Sequence, residues 1–198
     1  MNLDLYFPTP VWWAKTDLNI TEINDWCQQA KRQDPRGVSL SNIGGWQSKD
    51  FKPVAITELD LLKKTIFELS SRCIKDMGIK TEGASLDILN MWININQKGN
   101  YNNVHIHHHA TMSGVFYVQC NKDSGRIEFY RNFSDLYIIE SYGDIENSTH
   151  LSHSVAGYDP EPGLLLLFPA HIPHGVKPNM SDTDRISIAF NIGFRYNE

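Results

Sequence analysis

The sequence predicts an α+β protein built on a double-stranded β-helix, the small jelly-roll barrel, with N-terminal helices packed outside it. Three observations carry that expectation. In residues 19–33 and again in 56–77 the apolar positions recur at helical spacing. From residue 86 onward they alternate with period two, in seven or eight short runs. Tight turns of Gly, Pro, Asn and Asp separate those runs, as an antiparallel barrel requires. At 198 residues the chain is long enough for one domain with a substantial core, and it reads as one. Residues 1–85 supply the N-terminal strand and helices and residues 86–198 the jelly-roll core. Such a barrel has a closed apolar end and an open mouth, and sites belong in the mouth.

Residues 4–14, DLYFPTPVWWA, are apolar but interrupted by Pro8 and Pro10, which cannot donate to a ladder, so they read as an edge strand or an extended lead-in. A helix follows from Asn19 to about Gln33, with Asn19 or Thr21 as N-cap and Ile20, Ile23, Trp26, Cys27 and Ala30 on one face. Pro35-Arg36-Gly37 ends it. The next stretch, VSLSNIGGWQSKDFKP, is rich in Gly, Ser and Asn and reads as a loop near the site. The best helical pattern runs from Ile56 to about Met77, with Thr57 and Asp60 as a capping pair, Leu61, Leu62, Ile66, Phe67, Leu69 and Ile74 as the buried stripe, and Gly78 as the stop.

The strands begin with LDILNMWININ, in which Trp92, Asn94 and Asn96 alternate with Ile93 and Ile95, and Gln97 to Asn100 turn the chain. The histidine segment, SGVFYVQC, the turn NKDSG and RIEFYRN come next. After an irregular stretch to about Thr149, HSVAGYDP reads as a strand, EPG as a turn, LLLLFP as a buried strand and RISIAFNIGF as a long final one.

Composition narrows the functional classes. The net charge is −5 and the pI near 5.9, with both signs interspersed, so no basic stripe points to nucleic acid or an anionic membrane. The N-terminus lacks a positive n-region, and LLLLF is too short to cross a bilayer, which leads to the expectation of a soluble cytoplasmic protein. Cys27, Cys73 and Cys120 are odd in number, widely spaced and without C-x-x-C spacing, so free thiols are expected. The N-terminal aromatic residues fit a homodimer interface as well as the core.

The chemistry lies in Tyr101 to Ser113, YNNVHIHHHATMS, which holds four of the eight histidines. On an extended strand alternate side chains share a face, so His105 projects with His107, and His107 with His109, while His108 points away. A β-bulge would exchange those faces. Two imidazoles reach one metal ion in this way, and a distant strand must bring a third. His174, at the end of the most apolar run in the chain, is the candidate; His150 and His153 sit in a polar loop. Neutral imidazole suits Fe, Zn, Cu and Ni alike, so these residues point to a metal before they point to which one. Alone, the run HIHHH also fits a solvated loop or an adventitious metal binder, and metal binding is the favoured reading. Eleven residues after His174 comes Arg185, on a strand face shared with Ser187, Ala189 and Asn191 and opposite Ile186, Ile188 and Phe190.

The constellation resembles the Fe(II)- and 2-oxoglutarate-dependent oxygenases. Within them it is similar to a group of proteins of about this length with an FPTP-like start, a central H-x-H followed by SGVYYV, and a late FP…H…RISIAFN. Here these are Phe7-Pro8-Thr9-Pro10, His105-Ile106-His107, Ser113 to Val118, Phe168-Pro169, His174 and Arg185 to Asn191. The resemblance implies a cupin-like jelly roll in which His105, His107 and His174, rather than His171, hold Fe(II). It implies that 2-oxoglutarate and O2 are the partners and that Arg185 is catalytic, binding the distal carboxylate of 2-oxoglutarate. Ser187, Tyr117 and Asn94 would help bind that cosubstrate, with Asn96 at the mouth. The expected reaction is hydroxylation of a peptide, protein or small molecule with release of succinate and CO2. Most of the superfamily has a carboxylate where this chain has His107. A third neutral imidazole leaves the centre one charge more positive. Specificity would reside in GGWQS, in Asp135 to Thr149 and near Trp92. Two other readings fit the histidines: a cupin-like three-histidine enzyme that does not use 2-oxoglutarate, and a noncatalytic jelly-roll module with a vestigial metal site.

Overall fold

The structure, a computed structural model, describes residues 2–5, 7–51, 57–132 and 145–196. In chain order the elements are β1 (Trp12–Lys15), α1 (Ile20–Gln33), β2 (Asn42–Ile43), β3 (Trp46–Gln47), α2 (Thr57–Asp76), β4 (Ala84–Asn96), β5 (Tyr101–His105), β6 (Met112–Gln119), β7 (Ile127–Tyr130), β8 (Val155–Tyr158), β9 (Leu164–Pro169), β10 (His174–Val176) and β11 (Arg185–Tyr196). The strands form two antiparallel sheets, ordered β1-β9-β6-β11-β4-β3 and β2-β5-β10-β7-β8. This is the expected jelly roll, with both helices packed on the six-stranded sheet.

Alternation along the strands decides what each sheet face meets. Ile93 and Ile95 of β4, and Ile186, Ile188 and Phe190 of β11, pack with Ile23 and Cys27 of α1 and Leu62, Ile66 and Ile74 of α2. Each fully buried aliphatic side chain contributes roughly 1.5–3 kcal/mol. The opposite faces of β4 and β11 look between the sheets. The run LLLLF is apolar on both faces because β9 is covered on both: Leu165 and Leu167 join the helix-side core, whereas Leu164, Leu166 and Phe168 join a second cluster with Tyr117, Ile127, Phe129 and Ile172.

Local expectations differ from the structure at several points. Leu61, expected in the buried stripe of α2, is exposed, and Leu59 is buried on that helix instead. The N-terminal strand is confined to Trp12–Lys15, after both prolines; Trp12 packs against the core and Trp13 is exposed. Asn19 stands at the N-cap of α1, yet its side chain makes no capping bond. Instead its N–H donates to Glu58 Oε2 at 3.0 Å and ties the helices together. Thr57 already lies within α2, so it is not the N-cap, and Ile56 lies outside the described residues. The polar stretch 38–51 holds two short strands that join different sheets, β2 beside β5 and β3 beside β4. It thus straps the two sheets together at the mouth. Gly45 permits this, because a Cβ there would run into the side chain of Asn96. Gly78 ends α2 as expected, at φ +67°, with Ile79 N–H donating to Ile74 O at 3.2 Å. Of the Asp135 to Thr149 segment, residues 135–144 lie outside the described residues.

Among the described residues, no helix is long and apolar enough to cross a membrane, and Cys27, Cys73 and Cys120 are free thiols.

Candidate active site

His174 opens β10 and pairs in register with His105, the last residue of β5. Cross-strand partners hold their side chains side by side, and the two ring centroids are 4.5 Å apart. His107 lies beyond the end of β5, in an irregular segment. Its N–H donates to Ala170 O at 2.9 Å, and its ring stands 4.9 Å from His105 and 5.1 Å from His174. The ligating atoms of the three imidazoles all lie within 4.8 Å of one another, and no carboxylate among the described residues joins the group. The regular strand expected through His109 therefore stops early: His109 sits in a turn at φ +65° beside His108, both exposed. The alternative pairing of His107 with His109 is not formed, and His171 is exposed.

The donor set suits a divalent metal. Nδ1 of His105 lies 2.7 Å from Asn103 O, and Nδ1 of His174 lies 2.8 Å from Ile172 O. A carbonyl only accepts, so each Nδ1 carries the proton and each Nε2 offers its lone pair. Burial pushes the His174 imidazole down to about 3 and the His107 imidazole down to about 4, each lowered further by its neighbouring histidines; burial lowers His105 too. All three are neutral at physiological pH, as ligands must be. Phe168, with its centroid 4.6 Å from His174, and Trp92, 5.7 Å from His107, wall the group with aromatic rings.

The cavity bearing the imidazoles also holds a buried cation. Arg185 begins β11 and is 2% exposed. Its Nη1 donates to the carbonyl oxygens of Ser124, Gly125 at 3.2 Å and Lys177 at 2.9 Å, which closes off a two-pronged grip through both terminal nitrogens. Its Nη2 is buried without a partner, and so is the hydroxyl of Tyr117. Leaving such groups unpaired costs about 1–3 kcal/mol each, more for a charged one. Burial raises the Tyr117 phenol above its ordinary value, partly offset by the Arg185 charge, so it stays a hydroxyl donor. Register places further polar groups nearby: Ser187 pairs with Asn94 on one side and Tyr117 on the other. All of them line the cavity with His105, His107 and His174. Asn94 Oδ1 is unpaired as well. Asn96 instead donates to Asn102 Oδ1 at 3.1 Å. Unpaired donors at a buried guanidinium fit a carboxylate.

Outside the histidines a cleft of about 640 Å³ opens, walled by Leu40, Gln47, Trp92, Val104, Ile106 and Asn191. The strap residues singled out in the sequence divide their duties here. Trp46 is buried and donates its indole N–H to Asp34 O at 2.8 Å, whereas Ser48 Oγ accepts the Ile93 N–H at 2.9 Å. Gln47 is 3% exposed and faces the cleft with Oε1 unpaired. Sequence reasoning missed Asn191, whose Nδ2 lies 3.5 Å from His107 Nδ1. Its place on the Arg185 face of β11 was the available signal.

A family model described as "Putative 2OG-Fe(II) oxygenase" matches residues 90–191. Among solved structures the chain is similar to a Pseudomonas putida prolyl-4-hydroxylase, with TM-score 0.63 and 13% identity over 96% of this chain and 94% of that one. It is also similar to a Trichoplax adhaerens prolyl hydroxylase in complex with a hypoxia inducible factor oxygen degradation domain peptide fragment (TM-score 0.63, 20% identity, 92% and 83% covered). A third is HygX from Streptomyces hygroscopicus with nickel and 2-oxoglutarate bound (TM-score 0.57, 14% identity, 93% and 83% covered). At these identities the likeness is one of fold. No curated protein matches the chain by sequence.

Proposed function

The chain belongs to the 2OG-Fe(II) oxygenase family, and from that membership we propose a hydroxylase that holds Fe(II) on His105, His107 and His174 and anchors 2-oxoglutarate on Arg185. When bound, Fe(II) and 2-oxoglutarate supply O2 activation, coupling loss of CO2 and formation of succinate to oxidation of a substrate C–H bond. The chain's own residues do the rest. His105 and His174 hold their Nδ1 protons on carbonyl oxygens and so aim Nε2 inward. Arg185 Nη2 and the Tyr117 hydroxyl pair the distal carboxylate, and Ser187 and Asn94 complete its surroundings. Phe168 and Trp92 keep water from the imidazoles, and the cleft beyond Gln47 admits the substrate.

One observation carries this reading. A buried guanidinium nitrogen and a buried phenol hydroxyl, neither with a partner, share a cavity with three convergent neutral imidazoles. A three-histidine enzyme without a cosubstrate leaves both orphan donors unexplained. The test of hydroxylation is stoichiometric. A peptide or small molecule that accelerates succinate release should yield one product equivalent per succinate, heavier by one oxygen atom derived from labelled O2. A product that has lost two hydrogens and gained no oxygen would contradict it.

A further inference from the structure

The carbonyl contact that sets the tautomer of His105 and His174 is not repeated at His107 among the described residues. Its Nδ1 faces the side-chain amide of Asn191 instead. That amide is held from two sides: Ser113 Oγ donates to Asn191 Oδ1 at 2.6 Å, and Asn191 Nδ2 donates to Asn90 Oδ1 at 2.7 Å. Strand register is the cause. Asn191 of β11 pairs with Asn90 of β4 on one side and with Ser113 of β6 on the other, so one polar row crosses the sheet and ends at His107. Ser113 and Asn191 are both buried. Apolar residues could fill those positions without any need for hydrogen-bond partners.

An amide turned by half a rotation fills the same space with its oxygen and nitrogen exchanged. With Nδ2 toward His107, as here, Nδ1 must accept, and the single proton of the neutral imidazole then sits on Nε2 and blocks coordination. With Oδ1 toward the ring, Nδ1–H donates and Nε2 is free. The row accommodates both arrangements, because the Ser113 hydroxyl can donate or accept and the Asn90 amide can turn with its neighbour.

We propose that Asn191 is the positioning residue for His107: in the metal-loaded protein its Oδ1 accepts the Nδ1–H, backed by Ser113, and fixes the tautomer and ring angle of the third imidazole. This rests on the reading that His105, His107 and His174 hold the metal. A carboxylate ligand needs no choice of tautomer, whereas an imidazole at the same position does. Asn191 makes that choice.

The test loads the full chain with Co(II) and records its proton NMR spectrum in H2O and D2O. The native protein should show three strongly shifted, solvent-exchangeable imidazole N–H signals, the His107 signal being the one absent from His107→Ala. In Asn191→Leu that signal should vanish through exchange with water while the other two remain, and Co(II) affinity should fall about 10–100-fold. Asn191→Asp, which still accepts the proton, should keep all three. Ser113→Ala is the milder variant if Asn191→Leu does not fold. Faster exchange at His107 than at His105 and His174 supports the proposal there, and equal exchange overturns it. Three unchanged signals and unchanged affinity in Asn191→Leu overturn it too. Two signals in the native chain, with Co(II) affinity that still falls in His107→Ala, would overturn this inference alone; unchanged Co(II) affinity in His107→Ala would overturn the histidine triad, and this inference with it.

Discussion

His105 and His174 face each other across neighbouring antiparallel strands with their rings 4.5 Å apart, and each anchors its Nδ1–H on the carbonyl oxygen two residues before it. The same local turn of side chain onto backbone thus occurs twice, on opposing strands, and leaves two Nε2 lone pairs pointing into one cavity. His107 arrives by a different route, through an irregular segment pinned to Ala170. The backbone thus anchors two of the rings through Nδ1, whereas the ring of His107 faces the side-chain amide of Asn191.

Replacing a ligand should separate the triad from the other histidines. His174→Ala should weaken Fe(II) binding by more than about 100-fold, beyond what loss of an outer partner costs. His108→Ala and His109→Ala, on exposed turn residues, should leave it unchanged. Competition against a chromophoric chelator measures all three. Equal effects at His108 and His174 would contradict the assignment.

Acid should destabilise the metal-free chain through the same residues. His174 and His107 titrate near 3 and 4 when folded and near 6.5 when unfolded, so between those values the unfolded chain binds more protons. Stability from keeping them neutral is complete above about pH 6.5 and declines as pH falls toward 3–4. Thermal unfolding of the metal-free chain should show this loss between pH 7 and 4, and His107→Asn should flatten part of it. A midpoint independent of pH across that range would contradict the prediction.

The Tyr117 hydroxyl can be removed with little change of shape. Tyr117→Phe should raise the 2-oxoglutarate concentration needed for half-saturation roughly tenfold, the equivalent of one hydrogen bond to a charged group. Fe(II) affinity should not change. Calorimetry under anaerobic conditions reads both, and unaltered 2-oxoglutarate affinity would remove Tyr117 from the anion site.

Leu165 tests the double-sided burial of β9. It is fully buried on the helix side of the sheet, so Leu165→Ala should cost about 2–5 kcal/mol in chemical denaturation. Iron binding should persist, because the imidazoles lie on the other side of the sheet.

Much of this architecture is legible in single segments. The alternation in RISIAFN separates Arg185, Ser187 and Ala189, which line the cavity, from Ile186, Ile188 and Phe190, which meet the helices. The continuous LLLLF run announces a strand covered on both faces. His107 shows where such reading reaches its limit: period two named a partner for His105, yet β5 ends at His105 and a contact with Ala170, remote in sequence, brings His107 back. What escapes the sequence depends on register between distant strands. The row of Asn90, Asn191 and Ser113 exists only once three strands are aligned, and the carbonyls that occupy Arg185 Nη1 come from two separate segments, one before β7 and one after β10. The two-residue strands β2 and β3 escape it for the same reason, since their neighbours and not their Gly-rich composition make them strands.

On this assignment, metal and 2-oxoglutarate meet between the three histidines and Arg185. Anaerobic titration of the Fe(II)-loaded chain with 2-oxoglutarate tests it most directly, by the weak visible charge-transfer band that chelation of iron by 2-oxoglutarate produces. The native chain should develop the band at low ligand concentration, and Arg185→Ala, confirmed as folded, should need on the order of 100-fold more, as loss of a charge-assisted anchor requires. No band despite stoichiometric iron, or equal affinity in the two chains, would contradict the account and return the site to a three-histidine centre without this cosubstrate.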